Sequence, residues 1–290
     1  MMSDRSAQAI IDLHMHSTVS DGTDTPAGLL NRVRDLGLKY FALTDHDDVK
    51  GSRMIRGLLK EGDPVFITGC EFSCRDEEGK YHILGYGFDP DSEAIRQIMD
   101  TCHRLRFDKV RGRMEMLQKE FGFHFPSEEI DALYALDNPG KPHIGNLMVK
   151  LGYAKSINDA IANFIGKVHY RSMYIRPEEA ISSILAGGGI PVLAHPSYGS
   201  GDELILGEEM DERVQKLISF GLQGIEAYYS GFTARLRQAN LDLAAKYSLY
   251  VTAGSDYHGK NKMVVLGDTG LPDYSEWAEG LYRFLNDVRQ

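Results

Sequence analysis

The sequence is poor in cysteine and has no long apolar run, and each absence excludes a class of protein. Three cysteines occur among the 290 residues, at positions 70, 74 and 102, without the spacing of a disulfide framework. This sparse, odd set argues against a disulfide-stabilised scaffold or a thiolate zinc site and indicates a reducing compartment. A transmembrane helix would need about 18 consecutive apolar residues, which the sequence lacks. The polar first residues also lack the regions of a secretory signal, so we expect a cytoplasmic protein that does not bind a membrane.

Positive charge is also scarce. The 32 lysine and arginine residues are outnumbered by 42 aspartate and glutamate residues, which gives a formal net charge of −10. Such a charge disfavours nonspecific binding to duplex nucleic acid or to an anionic membrane surface. An anionic substrate would need local cations or bound metal ions to overcome this field. The apolar fraction of 42% is enough for one large domain, or for a domain with a sizeable insertion.

The most informative stretch lies near the N-terminus, between Ile11 and Gly22. A short apolar run there predicts a buried strand, and His14 and His16 lie at its carboxyl end. Side chains two residues apart on an extended chain point to the same side, so both imidazoles can bind one ion. The Ser-Asp-Gly turn that follows aims the carboxylate of Asp21 back toward the strand end. Taken alone, His-x-His also occurs by chance in proteins that bind no metal.

The same arrangement recurs along the chain. Short apolar runs alternate with helical patterns, and most of the runs carry His, Asp or Glu at or near one end. Residues 91–175 break this alternation and predict mainly helices, over 92–120, 127–134, 143–152 and 156–165. We interpret this segment as a helical insertion, or cap, in a parallel (β/α) barrel. A doubly wound open sheet would share the alternation, but a closed barrel is what readily brings the strand ends to one point.

Nine side chains near the strand ends carry nitrogen or oxygen donors. They are His14, His16, Asp21, His46, Glu71, His82, His195, Asp256 and His258. A zinc ion takes about four ligands and an octahedral ion about six, so this set implies more than one ion. Imidazoles and carboxylates without thiolate suit Zn, Mn or Fe. We therefore predict that the protein binds two or three divalent metal ions (Mn, Fe or Zn).

Short motifs in a fixed order resemble those of the PHP (polymerase and histidinol phosphatase) family of metal-dependent phosphoesterases. The motifs are His14-x-His16, Ser20-Asp21-Gly22, Thr44-Asp45-His46-Asp47, Gly69-x-Glu71, His82-Ile83-Leu84-Gly85-Tyr86, Ala194-His195-Pro196 and Gly254-Ser255-Asp256-x-His258. The resemblance covers residues 10–270. It implies an α/β fold, a distorted (β/α)7 barrel formed by residues 9–90 and 176–290, with the mainly helical insertion at 91–175. The segment 141–196 also resembles the subgroup of the family that carries a helical insertion.

The resemblance also implies which residues bind which ion. One ion would be bound by His14, His16, Glu71 and Asp256, a second by Glu71, His82 and His195, and a third by Asp21, His46 and His258. A hydroxide bridging two ions would attack phosphorus in line, because coordination lowers the pKa of water from about 15.7 toward about 7. The leaving group would be protonated by metal-bound water, by His143 or by a carboxylate of residues 45–48. The candidate catalytic residues are His14, His16, Glu71, Asp256 and His143.

A cluster of cations in the predicted insertion bears on the substrate. Arg104 and Arg111 are seven positions apart on a predicted helix and share one face, and Arg106 and Arg113 form a second such pair. Such a face is either a solvated helix surface or, in this acidic protein, a clamp for a second phosphate or carboxylate. The candidate substrate-binding residues are Arg104, Arg111, Lys141, His143 and Arg171, with Lys167 and Tyr170 as weaker candidates. At Lys141 the subgroup often has arginine, and lysine keeps the charge but loses bidentate geometry.

Several cationic side chains that could each bind a phosphate favour a small anionic substrate with more than one phosphate. We predict a nucleoside 3′,5′-bisphosphate or the end of a short oligonucleotide, while histidinol phosphate, a cyclic phosphodiester and a sugar phosphate stay open. An amidohydrolase that cleaves C–N bonds would use similar metals, often with a carboxylated lysine, but no lysine here follows a convincing strand. A noncatalytic metal-binding PHP module would be expected to have lost ligands, and none is lost.

Overall fold

A seven-stranded barrel organises the first and last parts of the chain. The computed structural model describes residues 11–136, 138–170, 173–199 and 203–289. The strands within these ranges are β1 (Ile11–Asp12), β2 (Tyr40–Leu43), β3 (Val65–Arg75), β4 (Lys80–Tyr86), β5 (Ile190–Leu193), β6 (Gly224–Tyr229) and β7 (Tyr250–Gly254). They pair in sequence order, and the chain just beyond β1 returns to β7, because Leu13 N donates to Ala253 O at 2.9 Å. The distorted (β/α)7 barrel is confirmed.

The distortion has one main source, the direction of β4. Four strand pairs are parallel, but β4 runs antiparallel to both β3 and β5. Only residues 76–79 connect β3 to β4, and a parallel crossover needs about a dozen residues or more. The expectation of a fully parallel barrel is therefore wrong at this strand.

Two site residues lie at other strand positions than the sequence predicted. Glu71 was expected at the end of its strand, but β3 continues to Arg75 and Glu71 lies inside it. His82 was expected near the end of a strand that runs like the others, whereas it lies near the amino end of the reversed β4, opposite Ser73 of β3. Because β4 is reversed, its amino end lies at the edge where the parallel strands end.

Helices cover the outside of the strands. The helices of this part are α1 (Pro26–Leu36), α2 (Lys50–Leu58), α7 (Pro177–Ala186), α8 (Gly207–Ser219), α9 (Ala234–Lys246) and α10 (Glu279–Asp287). The first helix shows why they form where they do: Thr25 Oγ1 accepts from Gly28 N at 3.1 Å, and Gly37 ends the helix at a φ of 67°. No element was expected at α10, although Leu281 and Phe284 of this helix are fully buried.

The remaining residues form a second compact unit, from 100 to 174. Its helices are α3 (Glu93–Phe121, which begins before the unit), α4 (Ser127–Tyr134), α5 (Lys141–Lys150) and α6 (Ile157–Ala160), which continues as a π-helix over Ile161–Ile165. Val110, Leu117 and Ile144 belong to an apolar core inside this unit. The helical character predicted for this segment is confirmed, with element ends shifted by one or two residues. Within the ranges given above, no helix has the length and apolar character needed to cross a bilayer.

A buried carboxylate helps to close the barrel. Asp12 of β1 accepts hydrogen bonds from Ser255 N at 2.9 Å, Ser255 Oγ at 2.5 Å and Gly267 N at 2.8 Å. It therefore joins the first strand to the chain that leaves the last one. Burial raises the pKa of Asp12 to about 6, although these hydrogen bonds favour the charged form.

This raised pKa predicts a pH dependence of stability. Folded Asp12 binds its proton more tightly than unfolded Asp12, so its contribution to the free energy of unfolding falls as pH rises through about 6. Between pH 5 and 7, wild type should lose roughly 1 kcal/mol relative to Asp12→Asn. Urea unfolding in the presence of a chelator measures this difference. The exposed Asp35→Asn is the control, and equal pH slopes for wild type and Asp12→Asn would contradict the expectation.

Candidate metal centre and active site

Nine predicted donors converge on one end of the barrel. His14 and His16 follow β1, with Asp21 in the next turn, and His46 follows β2. Glu71 lies in β3, His82 in β4, His195 two residues after β5, and Asp256 and His258 after β7. Glu71 is central to this set, because its two carboxylate oxygens contact the imidazoles of His14, His16, His46, His82 and His195.

The first group surrounds one oxygen of Glu71. Glu71 Oε2 lies 3.2 Å from His14 Nε2 and 3.1 Å from His16 Nε2. Asp256 Oδ1 lies 3.5 Å and 3.4 Å from the same two nitrogens. One donor atom from each of these four residues lies within 4.8 Å of the others, and all four residues are buried. This set could hold one metal ion.

Two atoms of this group lack hydrogen bonds that buried polar atoms ordinarily make. His14 Nε2 and His16 Nε2 are buried and form no hydrogen bond. They face the carboxylates of Glu71 and Asp256 at ion-pair distances. A divalent cation would give both nitrogens a partner and would balance the carboxylates. The donor set therefore fits a divalent metal ion.

The second group surrounds Asp21. Its Oδ1 lies 3.3 Å from His258 Nε2 and 3.6 Å from His16 Nδ1, and its Oδ2 lies 3.9 Å from His46 Nε2. These four residues form a second possible metal-binding group, whereas the resemblance implied the three without His16. His16 thus presents one ring nitrogen to each of two groups.

The third group surrounds the other oxygen of Glu71. Glu71 Oε1 lies 2.8 Å from His82 Nδ1 and 3.1 Å from His195 Nε2, and these two nitrogens are 3.2 Å apart. His46 Nδ1 approaches Glu71 Oε2 at 3.2 Å. The compact set is His46, Glu71 and His82, and His195 adjoins it. Every donor that the resemblance implied for the second ion is therefore next to Glu71.

The protonation state of each residue in the site depends on the charges of its neighbours. Burial alone would raise the pKa of Glu71, but His82, His46 and His14 together hold it well below its usual range. Burial also opposes protonation of His16, yet the carboxylates of Asp256 and Glu71 beside its Nε2 raise its pKa to about 9. The pKa of His14 is raised well above its usual value because Glu226, Glu71 and Asp256 outweigh its burial. Without a metal ion, protons on these two imidazoles offset part of the carboxylate charge.

The backbone is strained beside the site. Non-glycine residues with positive φ include Asp47 (53°), His195 (26°) and Asp256 (58°). Such conformations cost about 1–3 kcal/mol each and persist where the surrounding structure enforces them. Asp256 N also donates to His14 O at 2.7 Å, which fixes the turn that directs this carboxylate toward both histidines.

Glu226 is a site residue that the sequence analysis missed. This buried carboxylate in β6 has Oε1 2.9 Å from His14 Nδ1, and its Oε2 accepts from His195 N at 2.8 Å. A carboxylate at this position orients the imidazole and favours the tautomer whose Nε2 is available to bind a metal. The available signal was a glutamate inside the apolar run Gly224-Ile225-Glu226-Ala227.

Asp45 also has a defined structural role. It accepts from Ser17 N at 2.8 Å, Ser17 Oγ at 2.7 Å and Ser20 Oγ at 2.7 Å. These hydrogen bonds hold the turn that carries Asp21. The carboxylates of residues 45–48 were expected as candidate proton donors to the leaving group, whereas Asp45 is buried and bonded to this turn.

The candidate substrate-binding residues lie in the second unit. Arg104 and Arg111 are exposed on α3, where Arg111 lies 4.0 Å from Asp108 and over the Tyr134 ring. His143 Nδ1 accepts from Gly140 N at 3.0 Å, which helps to cap α5. Lys141 and Lys167 are exposed, and Tyr170 OH donates to Asp108 O at 3.0 Å. Arg171 lies outside the described residues.

Relatives of this chain are named as a phosphodiesterase, an exoribonuclease and a phosphatase. A phosphoribosyl 1,2-cyclic phosphate 1,2-diphosphodiesterase of Eggerthella lenta is 29% identical over 263 residues, 87% of this chain and 95% of that protein. A 5′-3′ exoribonuclease of Haemophilus influenzae is 28% identical, over 88% of this chain and 92% of that protein. A 3′,5′-nucleoside bisphosphate phosphatase of Chromobacterium violaceum is 28% identical, over 86% of this chain and 87% of that protein.

A solved structure and a family model agree with this relationship. The structure of a candidate metal-dependent phosphoesterase from Bifidobacterium adolescentis matches with a TM-score of 0.82 and 28% identity, covering 97% of this chain and 96% of that one. The model of the PHP domain matches residues 12–287. This range includes all nine converging donors, and the chain belongs to the PHP domain family.

Proposed function

We propose that this protein is a metal-dependent phosphoesterase that hydrolyses a nucleoside 3′,5′-bisphosphate or the end of a short oligonucleotide. The observation that carries the proposal is the position of Glu71. Its two buried oxygens lie within 3.2 Å of nitrogens from five imidazoles, those of His14, His16, His46, His82 and His195. Nitrogen and oxygen donors arranged around one shared carboxylate suit a cluster of divalent ions.

Two or three ions of Mn, Fe or Zn would be held by the three groups around Glu71 and Asp21. We assign His14, His16, Glu71 and Asp256 to one ion, Glu71, His82 and His195 to a second, and Asp21, His46 and His258 to a third. Bound divalent ions supply positive charge for the phosphoryl oxygens and a water whose pKa falls to about 7. The protein's part is to orient these ligands, which Glu226 does for His14 and Asp45 does for the turn of Asp21.

The choice of substrate rests on the relatives and on charge. The Chromobacterium relative is named as a 3′,5′-nucleoside bisphosphate phosphatase and the Haemophilus relative as a 5′-3′ exoribonuclease. Both names describe nucleotide substrates with several phosphate groups. A chain with a net charge of −10 needs local cations to bind such a substrate. Membership of the subgroup with a helical insertion, and substrate contacts by Arg104, Arg111, Lys141, His143 and Arg171, stay predictions.

A cyclic phosphodiester is the second candidate substrate. The Eggerthella relative, at 29% identity, is named for hydrolysis of a phosphoribosyl cyclic phosphate. The same donor set could serve both reactions, because each begins with attack on a phosphorus atom bound to anionic oxygens. The site gives no support to a noncatalytic module, since each of the nine expected donors is present and next to another.

A substrate panel tests the proposed function. Protein loaded with Mn, Fe or Zn would be incubated with adenosine 3′,5′-bisphosphate, 5′-phosphorylated di- and trinucleotides, phosphoribosyl 1,2-cyclic phosphate and histidinol phosphate. Hydrolysis would be followed as released phosphate for the phosphate monoesters, and by chromatography of the nucleotide or ring-opened products for the phosphodiesters. We expect the bisphosphate or the oligonucleotides to have the highest kcat/KM, and we expect His14→Ala to lose roughly a thousandfold or more. His124→Ala, a change of an exposed histidine outside the cluster, is the matched control. Preference for the cyclic ester would favour the second candidate, and no hydrolysis by any loaded form would overturn the proposal.

Metal binding should release protons. Because the pKa of His16 is about 9 without an ion, and that of His14 is also raised, both imidazoles are protonated at pH 7 and must lose their protons to bind metal. Calorimetric titration with Mn²⁺ should show release of about one to two protons, measured from the heats in buffers of different ionisation enthalpy. The apparent affinity should rise with pH up to about 9. Identical heats in all buffers would contradict this expectation.

The carboxylate behind His14 should matter for metal affinity. Glu226→Gln keeps the shape of the side chain but removes the charge that faces His14 Nδ1 at 2.9 Å. We expect a loss of roughly 10- to 100-fold in metal affinity or activity. Glu212→Gln changes an exposed glutamate of α8 in the same way and should have no effect. Equal Mn²⁺ dissociation constants and equal rates for the two variants would exclude the assigned role of Glu226.

A further inference from the structure

We propose that Lys262 binds the phosphoryl group of the substrate at the rim of the metal-binding cluster, where Asp256 and Tyr229 position its ammonium group. This inference rests on the proposed phosphoesterase function and names one more residue for it. Lys262 follows the last motif of the family by four residues and belongs to none of the motifs. Its place in the structure is what singles it out.

The ammonium group lies on the outer side of a proposed metal ligand. Lys262 Nζ contacts Asp256 Oδ2 and lies 3.1 Å from Tyr229 OH, which itself donates to the same oxygen at 2.9 Å. The other oxygen, Asp256 Oδ1, faces His14 Nε2 and His16 Nε2. One carboxylate therefore has the candidate metal position on one side and a lysine on the other.

The loop that carries Lys262 is tied to another part of the cluster. Asn261 Nδ2 donates to Asp21 O at 2.7 Å, and Lys260 N donates to Thr23 Oγ1 at 2.9 Å. Both bonds attach the loop to the turn that carries Asp21. The backbone next to Lys262 is thus held against the turn of the second metal-binding group. A lysine on such a loop presents its charge at a fixed place, which a lysine on a loose surface loop does not.

Partial exposure distinguishes Lys262 from a lysine that serves only a structural ion pair. Its side chain is 38% exposed, while that of Asp256 is 7% exposed. The ammonium group contacts Asp256 and Tyr229, while more than a third of the side chain that carries it is open to solvent. An ion bound at Asp256 Oδ1 would draw charge from the carboxylate and weaken its attraction for Lys262. The ammonium would then be available to a phosphoryl oxygen as a compact point charge.

The alternative role for Lys262 is to neutralise Asp256 and so to tune metal binding alone. The two roles differ in what a neutral side chain would change. If Lys262 acts only on Asp256, its removal alters metal affinity and leaves phosphate binding to the loaded site unchanged. If it binds the phosphoryl group, its removal weakens phosphate binding to a site that is still loaded with metal.

Calorimetry on Lys262→Met separates these roles. The probe is inorganic phosphate, titrated into Mn²⁺-loaded protein after the metal content of each variant has been measured. We expect Lys262→Met to bind Mn²⁺ within about threefold of wild type and to bind phosphate roughly 10- to 100-fold more weakly. Lys262→Arg should recover part of the phosphate affinity. Lys260→Met removes the same charge from an exposed position two residues away and should leave phosphate binding unchanged.

Two outcomes would overturn the inference. One is equal phosphate affinity for Lys262→Met and Lys260→Met. The other is a loss of metal in Lys262→Met with normal phosphate affinity once the metal is restored at higher concentration. Kinetics with the best substrate of the panel should show the same order of variants in KM. Failure of the wild type to hydrolyse any substrate would count against the proposed function, while the phosphate titration would still decide the role of Lys262.

Discussion

The structure depends on the need to surround one buried carboxylate with positive or proton-bearing groups. Glu71 is 1% exposed, and a charged carboxylate that deep is costly unless partners compensate for lost hydration. Imidazoles carried by β4 and by the segments after β1, β2 and β5 supply those partners, at 2.8–3.2 Å from its oxygens. Four different parts of the barrel must therefore reach β3 at the same end. A closed set of strands satisfies this requirement, since every strand then ends on a common rim.

The reversed strand shows how the barrel meets this requirement with an irregular topology. In β4 the histidine comes before the apolar residues Ile83 and Leu84, whereas in the other strands the donors follow the apolar run. Because β4 runs in the opposite direction, its histidine lies at the same rim of the barrel as the donors that follow the other strands. Glycine contributes where strands crowd the ligands, because a Cβ at Gly254 would overlap His14 Cβ and Glu226 Oε1. The strand direction and the glycine at position 254 thus both help to bring the metal-ligand candidates together.

Much of this arrangement could be predicted from the sequence, and the limits are physical. Apolar runs followed by His, Asp or Glu predicted the barrel and named nine residues that the structure brings together. The apolar pattern of β4 does not give its direction, because a short buried strand looks alike in either direction. The signal lay in the connection from β3, which is too short for a parallel crossover and became clear only once β3 was seen to continue past Glu71 to Arg75. Glu226 and Lys262 were missed for a related reason. Their roles come from partners distant in sequence, His14 for Glu226 and Tyr229 for Lys262, and no spacing within a motif records such a contact.

Barrel closure and the metal-binding groups involve the same short segments, so ion binding and folding are coupled. The segment after β7 contacts the segment after β1 twice, through Asp256 N to His14 O at 2.7 Å and His16 N to Tyr257 O at 2.8 Å. The side chains of Asp256, His14 and His16 form one proposed ion site across that same junction. Without an ion, the raised pKa values of His14 and His16 stabilise the fold below about pH 6.5, and this contribution is lost as pH rises through the folded pKa, about 9 for His16. The positive charge of a divalent ion, unlike that of a protonated imidazole, is not lost as pH rises. A bound ion should therefore stabilise the contact between the first and last strands most strongly at neutral to alkaline pH, where the imidazoles lose their protons.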